Sequence, residues 1–320
     1  MEWLKLIVDL THNTIVFSTA LVFAAIGGMF SERSGVVNIA LEGLMIIGAF
    51  TGAVVTFFVD QALGGSFISP WIGFLSAILA GIIFSLPHAV ASIRYEADQV
   101  VSGIALNFLA IGAAIYFTKV LFNGSAQTKT LMTSFDKWSI PFLSDNAIVG
   151  SLFKAYPTSI IMFFVVVISY VVLFKTPFGL RLRAVGEHPR AADTMGINVF
   201  RTRYIAVMIS GGLAAMGGAT LVLTTTNNFT HSTISGHGFI ALAALIFGKW
   251  HPIKTMFAAL FFGMATALKS VLQQFGITDF VPVEFIFILP YLLTILVLAG
   301  LIGRAEAPTA LGKPYKLGSR

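Results

Sequence analysis

TRYIAVMISGGLAAMGGATLVLT, residues 202–224, is typical of a helix that crosses a lipid bilayer. The run is apolar over roughly the 20 residues needed to span the hydrocarbon core. Its paired glycines leave little side-chain bulk on the helix surface, which allows a neighbouring helix to approach closely. The stretch predicts a membrane-spanning helix that packs against others, and its pattern recurs along the chain.

Composition places the whole chain in a membrane. Of its 320 residues, 57% are hydrophobic and 11% are charged, with a mean hydropathy of +0.88. Soluble domains have about 25% charged residues, so a soluble domain is excluded. Apolar runs predict membrane spans at 13–30, 36–58, 71–92, 99–121, 157–175, 202–224, 254–273 and 284–303.

A further apolar run at 237–248 is too short for an ordinary span. It is predicted as a half-helix or a re-entrant segment, which a membrane tolerates only where protein surrounds it. With the longer runs it indicates an all-α polytopic membrane protein of eight to ten transmembrane helices. Residues 1–320 are expected to form a single transmembrane domain.

Basic residues set the expected orientation. The formal net charge is +6, and the basic side chains lie in short loops, where they mark the cytoplasmic side. This placement indicates a membrane rather than a nucleic acid as partner. Loop 176–201 and the tail after residue 303 are therefore predicted to be cytoplasmic. That requires 237–248 to cross the membrane and leaves the N-terminus outside.

The largest external segment of this topology is the polar loop 122–156, which holds Gly, Pro and Trp. An ordered lid or docking loop is one interpretation, and a plain connector is an equally good one. On the opposite side, GEHPRAADTMGINVFRTR at 186–203 is the least membrane-like stretch. Pro189 suits the first turn of a short helix, Gly196 suits a left-handed end, and Glu187 or His188 is suited to cap it.

A helix this short is marginal in water by itself, so it needs a partner surface. Its small alanines give it a flat face for such a contact. The partner is either the protein's own spans or a separate soluble subunit. A well-packed polar loop is the alternative.

Two pairs of segments match in sequence. AAIGG at 24–28 matches AAMGG at 214–218, and NIALEGLM at 38–45 matches FIALAALI at 239–246. In the expected topology the paired segments cross in opposite directions, which is the mark of an inverted repeat. Transporters use such repeats to build a site near the pseudo-twofold axis. The repeat halves are expected at about 13–121 and 202–303.

Polar residues inside the apolar runs are candidates for a transport pathway. Asn38 and Glu42 are four residues apart and share a helix face. An ionisable group within a span is a functional candidate, although Glu42 pairing with Arg33, or a protonated Glu42 in a helix–helix bond, would be structural alternatives. Asn107 is a further candidate. The half-helix that begins near Gly238 offers N–H groups to a polar solute.

Several kinds of chemistry are missing from the sequence. It has no G-x-x-x-x-G-K-[ST] loop for the phosphates of ATP. No G-x-S-x-G or H-E-x-x-H motif occurs, so an enzyme is not expected. There is no cysteine, and His231 and His237 have no acidic neighbour, so no metal site is predicted. A chain of intramembrane acidic residues, expected of a proton-driven pump, is also missing.

Six stretches together resemble a known family. They are SERSGVVNIALEGLMIIGAF (31–50), ADQVVSGIALNFLAIG (97–112), TPFGLRLRAVGEHPRAADTMGINVFRTRYIAVMISGGLAAMGGA (176–219), GHGFIALAALIFGKWHP (236–252), LPYLLTILVLAG (289–300) and APTALGKPY (307–315). The chain resembles the permease subunit of bacterial ABC importers, in the branch for branched-chain amino acids, ribose-type sugars and nucleosides. It is most similar to the nucleoside group, which is linked to a BMP-type lipoprotein. Loop 122–156 does not match the family.

The resemblance implies a role for loop 176–201. In the family this loop carries a coupling helix that docks into a separate ATPase, and because that subunit binds ATP, no cofactor is expected here. The positions that match the coupling motif are Glu187, Arg190, Ala191, Ala192 and Gly196. The other implied partners are a second permease, identical or paralogous, an extracellular substrate-binding lipoprotein, a nucleoside and the lipid bilayer of a bacterial plasma membrane.

The expected function is nucleoside import, with a pathway formed by Asn38, Glu42, Asn107 and Phe239. The polar side chains are suited to bind ribose or base edges, and the phenyl ring to stack on a base. One alternative is the same architecture importing a simple sugar or a branched-chain amino acid. A less favoured alternative is an ion-coupled secondary transporter that works alone.

Overall fold

The computed structural model describes residues 2–139, 154–274, 288, 292 and 306–316, and these are mostly helical. Ten helices are described: α1 Glu2–Arg33, α2 Leu41–Leu63, α3 Ser69–Ala89, α4 Gln99–Leu121, α5 Pro157–Lys175, α6 Pro177–Glu187, α7 Pro189–Thr194, α8 Val199–Leu221, α9 His237–Phe247 and α10 Pro252–Gln274. One π-helical turn extends α3 over Val90–Arg94, and another extends α8 over Val222–Thr226. Two short strands, β1 Trp138–Ser139 and β2 Lys154–Ala155, pair antiparallel.

Six of the described helices are long and apolar enough to cross a membrane. They cover Ile7–Arg33, Leu41–Leu63, Ser69–Arg94, Gln99–Leu121, Pro157–Lys175 and Val199–Thr226. The expectation of an all-α polytopic membrane protein is confirmed. Two shorter apolar helices cover His237–Phe247 and Pro252–Leu268. The predicted span at 284–303 lies outside the described residues except at two positions.

The predicted span at 36–58 begins too early. Its first residues form a turn at 34–40, and α2 begins only at Leu41. Gly35 enters this turn with φ of +91°, a conformation that a side chain would strain. Because the turn is as apolar as a span, hydropathy does not separate it from the helix that follows.

Burial divides the long helices into a central and a peripheral set. In the most apolar parts of α1, α2 and α8, 78%, 72% and 78% of the residues are buried inside the protein. The corresponding values for α3, α4 and α5 are 33%, 28% and 39%. The second set exposes large apolar side chains such as Leu79, Phe108 and Phe164, which suits contact with lipid chains. The centre of the fold is therefore the contact of α1, α2 and α8.

Glycines bring these three helices together at backbone distance. A Cβ atom on Gly27 would lie 2.8 Å from the carbonyl oxygen of Ser210, and one on Gly217 would lie 2.5 Å from that of Ala20. Since Gly27 opposes Ser210 and Gly217 opposes Ala20, α1 and α8 run antiparallel. The matching segments AAIGG and AAMGG both lie in this crossing.

The described part of loop 122–156 is ordered. Residues 128–135 run beside the end of α8, where the N–H groups of Thr128, Leu131 and Phe135 donate to carbonyls of α8 and the segment after it at 2.9–3.0 Å. The buried carboxylate of Asp60, on α2, accepts hydrogen bonds from the N–H of Thr133, at 3.0 Å, and from its hydroxyl. The choice between a lid or docking loop and a plain connector stays a prediction. Residues 140–153 lie outside the described part.

We expect Gly218→Ala to destabilise the protein, because the new Cβ would overlap the carbonyl oxygen of Met45 on α2. Overpacking a tight contact typically costs about 1–3 kcal/mol. Gly112→Ala is the matched control, because no atom lies within 4 Å of a Cβ at that exposed position of α4. Thermal unfolding in detergent should show a lower midpoint for the first variant only. Equal midpoints would contradict the close contact.

Candidate functional site

The turn at 34–40 is the first part of the candidate pathway. Asn38, within the turn, bonds to α8, and Asn107, on α4, bonds to the backbone around the start of α2. Asn38 is fully buried; its Nδ2 donates to the hydroxyl of Ser210 on α8 at 2.7 Å. Asn107 on α4 accepts the N–H of Gly43 at 2.8 Å and donates to the carbonyl of Ile39 at 3.0 Å. Both predicted pathway residues therefore fix the backbone at the start of α2.

Glu42 binds the first turn of α9. Its Oε1 accepts the N–H of Gly236 at 2.6 Å, and its Oε2 accepts the N–H of Gly238 at 2.7 Å. A carboxylate is stabilised there because the free N–H groups and the helix dipole both favour negative charge. The N–H groups that the sequence offers to a solute are thus bound by Glu42.

The structure excludes one of the alternatives for Glu42. Arg33 does not pair with it; its Nε and Nη2 donate instead to the carbonyl of Trp250, at 3.1 and 2.9 Å. Trp250 also donates its indole N–H to the buried carboxylate of Glu32 at 2.6 Å. The end of α1 therefore holds the connection between α9 and α10.

Phe239 differs from the other three pathway candidates because its side chain is 51% exposed. It follows Gly238 directly in the first turn of α9. The structure brings Asn38, Glu42 and Asn107 onto the buried start of α2 and leaves Phe239 open at the edge of this region. Of the four, it is the one whose side chain is exposed and makes no internal hydrogen bond.

The sequence analysis missed two residues that hold the same turn. His88 on α3 makes a 3.0 Å hydrogen bond between its Nε2 and the carbonyl of Val37. The side chain of Gln99 accepts the N–H of Val37 at 2.7 Å. The sequence feature that could have indicated these contacts is His88 itself, a titratable residue inside the apolar run 71–92.

The second part of the candidate site is the short helix α7. Gly196 has φ of +79°, the left-handed geometry that the sequence predicts. One side of the helix is covered, with Ala192 buried, whereas Arg190 and Ala191 are exposed. Met195, at 81%, presents a large exposed apolar side chain that the sequence analysis did not single out. The exposed side is thus both basic and apolar.

The prediction that the side chain of Glu187 or His188 caps α7 was wrong. His188 occupies the cap position, but its side chain makes no cap hydrogen bond. Glu187 instead accepts hydrogen bonds from the N–H and hydroxyl of Thr309, at 3.2 and 2.8 Å. The physical reason is that a C-terminal segment, 306–316, lies against this loop and competes for the carboxylate.

The C-terminal segment is bound along its length. Ala310 donates to the carbonyl of Gly186 at 2.9 Å, and Gly312 donates to that of Gly35 at 3.1 Å. Burial and a hydrogen bond to Asp193 on α7 raise the pKa of the Tyr315 phenol above its usual value. A groove of about 740 Å³ lies between the segment and α7. Its lining includes Glu187, Arg190, Lys313 and Lys316.

We expect Glu42→Gln to destabilise the start of α9, because an amide offers one acceptor oxygen to two N–H donors. A lost buried partner of this kind costs about 1–3 kcal/mol. Asp136→Asn is the matched control, since that carboxylate is exposed on loop 122–156. Hydrogen exchange should be faster at residues 236–240 in the first variant only, and unchanged exchange there would contradict the cap.

Comparison with known proteins shows the family of the chain. The family described as branched-chain amino acid transport system / permease component matches residues 10–298. The guanosine ABC transporter permease protein NupQ of Bacillus subtilis is 51% identical over 322 residues, which cover all of both chains. The nucleoside ABC transporter permease protein NupC of Lactococcus lactis is 41% identical, covering 95% of each chain.

A second Bacillus subtilis protein, the guanosine ABC transporter permease protein NupP, is 25% identical over 78% of this chain and 71% of its own. No solved structure matches the chain significantly. The family match covers most of the chain, and NupQ matches throughout. The chain therefore belongs to the branched-chain amino acid transport system permease family and is a multi-pass membrane subunit of an ABC transporter, not an enzyme.

Proposed function

We propose that this chain is the permease subunit of a bacterial ABC importer that moves nucleosides across the plasma membrane. The observation that carries the proposal is the 51% identity, over the full length of both chains, to a guanosine permease. The 41% identity to a nucleoside permease of another genus supports the same substrate class. A substrate-binding lipoprotein would deliver the nucleoside from outside.

The energy would come from a separate ATPase subunit, because the chain has no phosphate-binding loop of its own. The proposed contact is α7, through the exposed residues Arg190, Ala191 and Gly196. Buried Ala192 and Glu187, which binds Thr309, would instead hold the helix in place. Its exposed basic and apolar side supports this assignment. A six-residue helix is marginal without such a partner. Loop 176–201 and the C-terminus would then lie in the cytoplasm.

The importer would contain a second, related permease chain. The support is that this chain is similar to two guanosine permeases of one organism, at 51% and 25% identity. Each chain would be built as an inverted repeat, with halves at about 13–121 and 202–303. The antiparallel crossing of α1 and α8 at AAIGG and AAMGG supports that assignment.

The pathway would run past the start of α2 and α9. We assign Phe239 to stack on the base, and Asn38, Glu42 and Asn107 to shape the wall behind it. Their internal hydrogen bonds belong to the conformation described here. A transporter alternates between states with different affinity for its solute, so the same polar groups would change partners in the other state.

We expect excess guanosine to abolish ATP-dependent uptake of labelled adenosine by cells that carry the complete importer, with ribose or leucine at the same concentration having no effect. Competition by ribose or leucine would instead favour the sugar or amino acid alternative. Uptake that continues without the ATPase but stops with an ion uncoupler would establish a secondary transporter and overturn the proposal.

We expect Arg190→Glu to reduce uptake by about tenfold or more while the protein stays inserted at its usual level, because charge reversal opposes docking of the ATPase. Lys254→Glu is the matched control, an exposed basic residue on α10 outside α7 and the C-terminal segment. The amount of ATPase that co-purifies with each variant is the direct measurement. Normal retention and normal uptake in Arg190→Glu would exclude this contact.

A further inference from the structure

Arg203 is the largest fully buried side chain of the described residues, with 1% exposure. It lies on the second turn of α8, which begins at Val199. Its Nε donates to the carbonyl of Ser34 at 3.1 Å, and its Nη1 donates to that of Lys313 at 3.3 Å. Within the described residues its Nη2 has no hydrogen-bond partner. Burying a charge is costly unless its donors find partners, so the contacts of Arg203 determine what it does.

Three segments distant in sequence meet at Arg203. They are the turn after α1, the start of α8 and the C-terminal segment. Gly35 is the reason they can meet: a Cβ there would lie 2.8 Å from Nη2 of Arg203 and 3.2 Å from the carbonyl oxygen of Ala310. A side chain at Gly35 would therefore overlap this junction. Because the segments are so closely packed, we expect a displacement of one segment to displace the others.

On the membrane side, the junction continues into the candidate pathway. Arg203 and Ser210 are seven residues apart, so they lie on the same face of α8. Arg203 binds the turn at Ser34, and Ser210 binds it again at Asn38. The turn is thus attached to α8 at two points, and Glu42 lies one helical turn beyond the second.

On the opposite side, the C-terminal segment contacts the chain on both sides of α7 and α7 itself. Thr309 binds Glu187, the last residue of α6. Tyr315 packs in one buried apolar cluster with Ala192 of α7, and its ring lies 5.7 Å between centroids from that of Phe200 on α8. The segment therefore connects α7 to Arg203 by a route separate from the short link between α7 and α8.

We propose that Arg203, with segment 306–316, is the positioning residue that transmits the displacement of α7 to the turn at 34–40 and, beyond it, to Glu42 at the start of α2. The proposal rests on the proposed function, in which an ATPase moves α7. Arg203 touches neither the solute nor the ATPase. It acts by making α8, the turn and the C-terminal segment move as one body.

The test uses the complete importer, purified with its ATPase, reconstituted in liposomes and supplied with its binding protein. The measured quantity is the number of nucleosides transported per ATP hydrolysed. We expect Arg203→Met to lower this ratio about tenfold while hydrolysis continues, and Arg203→Lys to lower it less. Arg201→Met is the matched control, because Arg201 is exposed on the first turn of the same helix. A purely structural role would lower transport and hydrolysis together.

A second variant keeps the proposal testable if Arg203→Met does not fold. Thr309→Val combined with Tyr315→Phe leaves Arg203 intact, removes the side-chain hydrogen bond to Glu187 just before α7, and removes the Tyr315 hydroxyl, which interacts with Asp193 of α7. We expect this double variant also to lower the number of nucleosides transported per ATP hydrolysed. A ratio equal to that of the unmodified importer in Arg203→Lys and in the double variant would overturn the proposal. Failure of the proposed function would be distinct, because the unmodified importer would then transport no nucleoside with ATP.

Discussion

Backbone-to-backbone contact between α1, α2 and α8 is the constraint on which the rest of the structure depends. In lipid there is no hydrophobic force that pushes helices together, so association relies on close packing and polar bonds. Gly27 and Gly217 supply that packing between α1 and α8, and Gly218 supplies it against Met45. Near the same crossing, Asn38 donates a 2.7 Å hydrogen bond to Ser210 of α8, so a polar contact of the turn at 34–40 adds to the glycine packing.

The polar residues within the membrane serve mainly to satisfy broken backbone. Chain breaks cost several kcal/mol for each free N–H or carbonyl group in hydrocarbon, and they persist only where protein supplies partners. Glu42 supplies them at the start of α9, Asn107 at the start of α2, and His88 and Gln99 at Val37. The breaks are also where a solute can meet polar groups at membrane depth. The same side chains therefore stabilise the fold and delimit the candidate pathway.

Sequence analysis predicted features that depend on neighbouring residues and missed contacts between residues far apart in the chain. Hydropathy and glycine pattern are local, and they predicted the long helices, the short apolar helix α9 and the left-handed Gly196. They also marked Glu42 as unusual, but its partner Gly238 is 196 residues away, and no periodic pattern reports such a distance. The contacts of Glu187 with Thr309 and of Arg203 with Lys313 were missed for the same reason. The polar residues of the C-terminal segment do not indicate which part of the fold that segment contacts.

Helix α8 is held by Arg203 near its start and by segment 128–135 at its opposite end. This segment binds the last turn of the helix and the residues after it, while Asp60 holds it to α2. Helix α8 is therefore held at both of its ends by segments that lie outside the long helices. Linkage between two binding sites is reciprocal. If a protein bound to segment 128–135 changed the affinity for a partner at α7 by some factor, that partner would have to change the affinity for the first protein by the same factor.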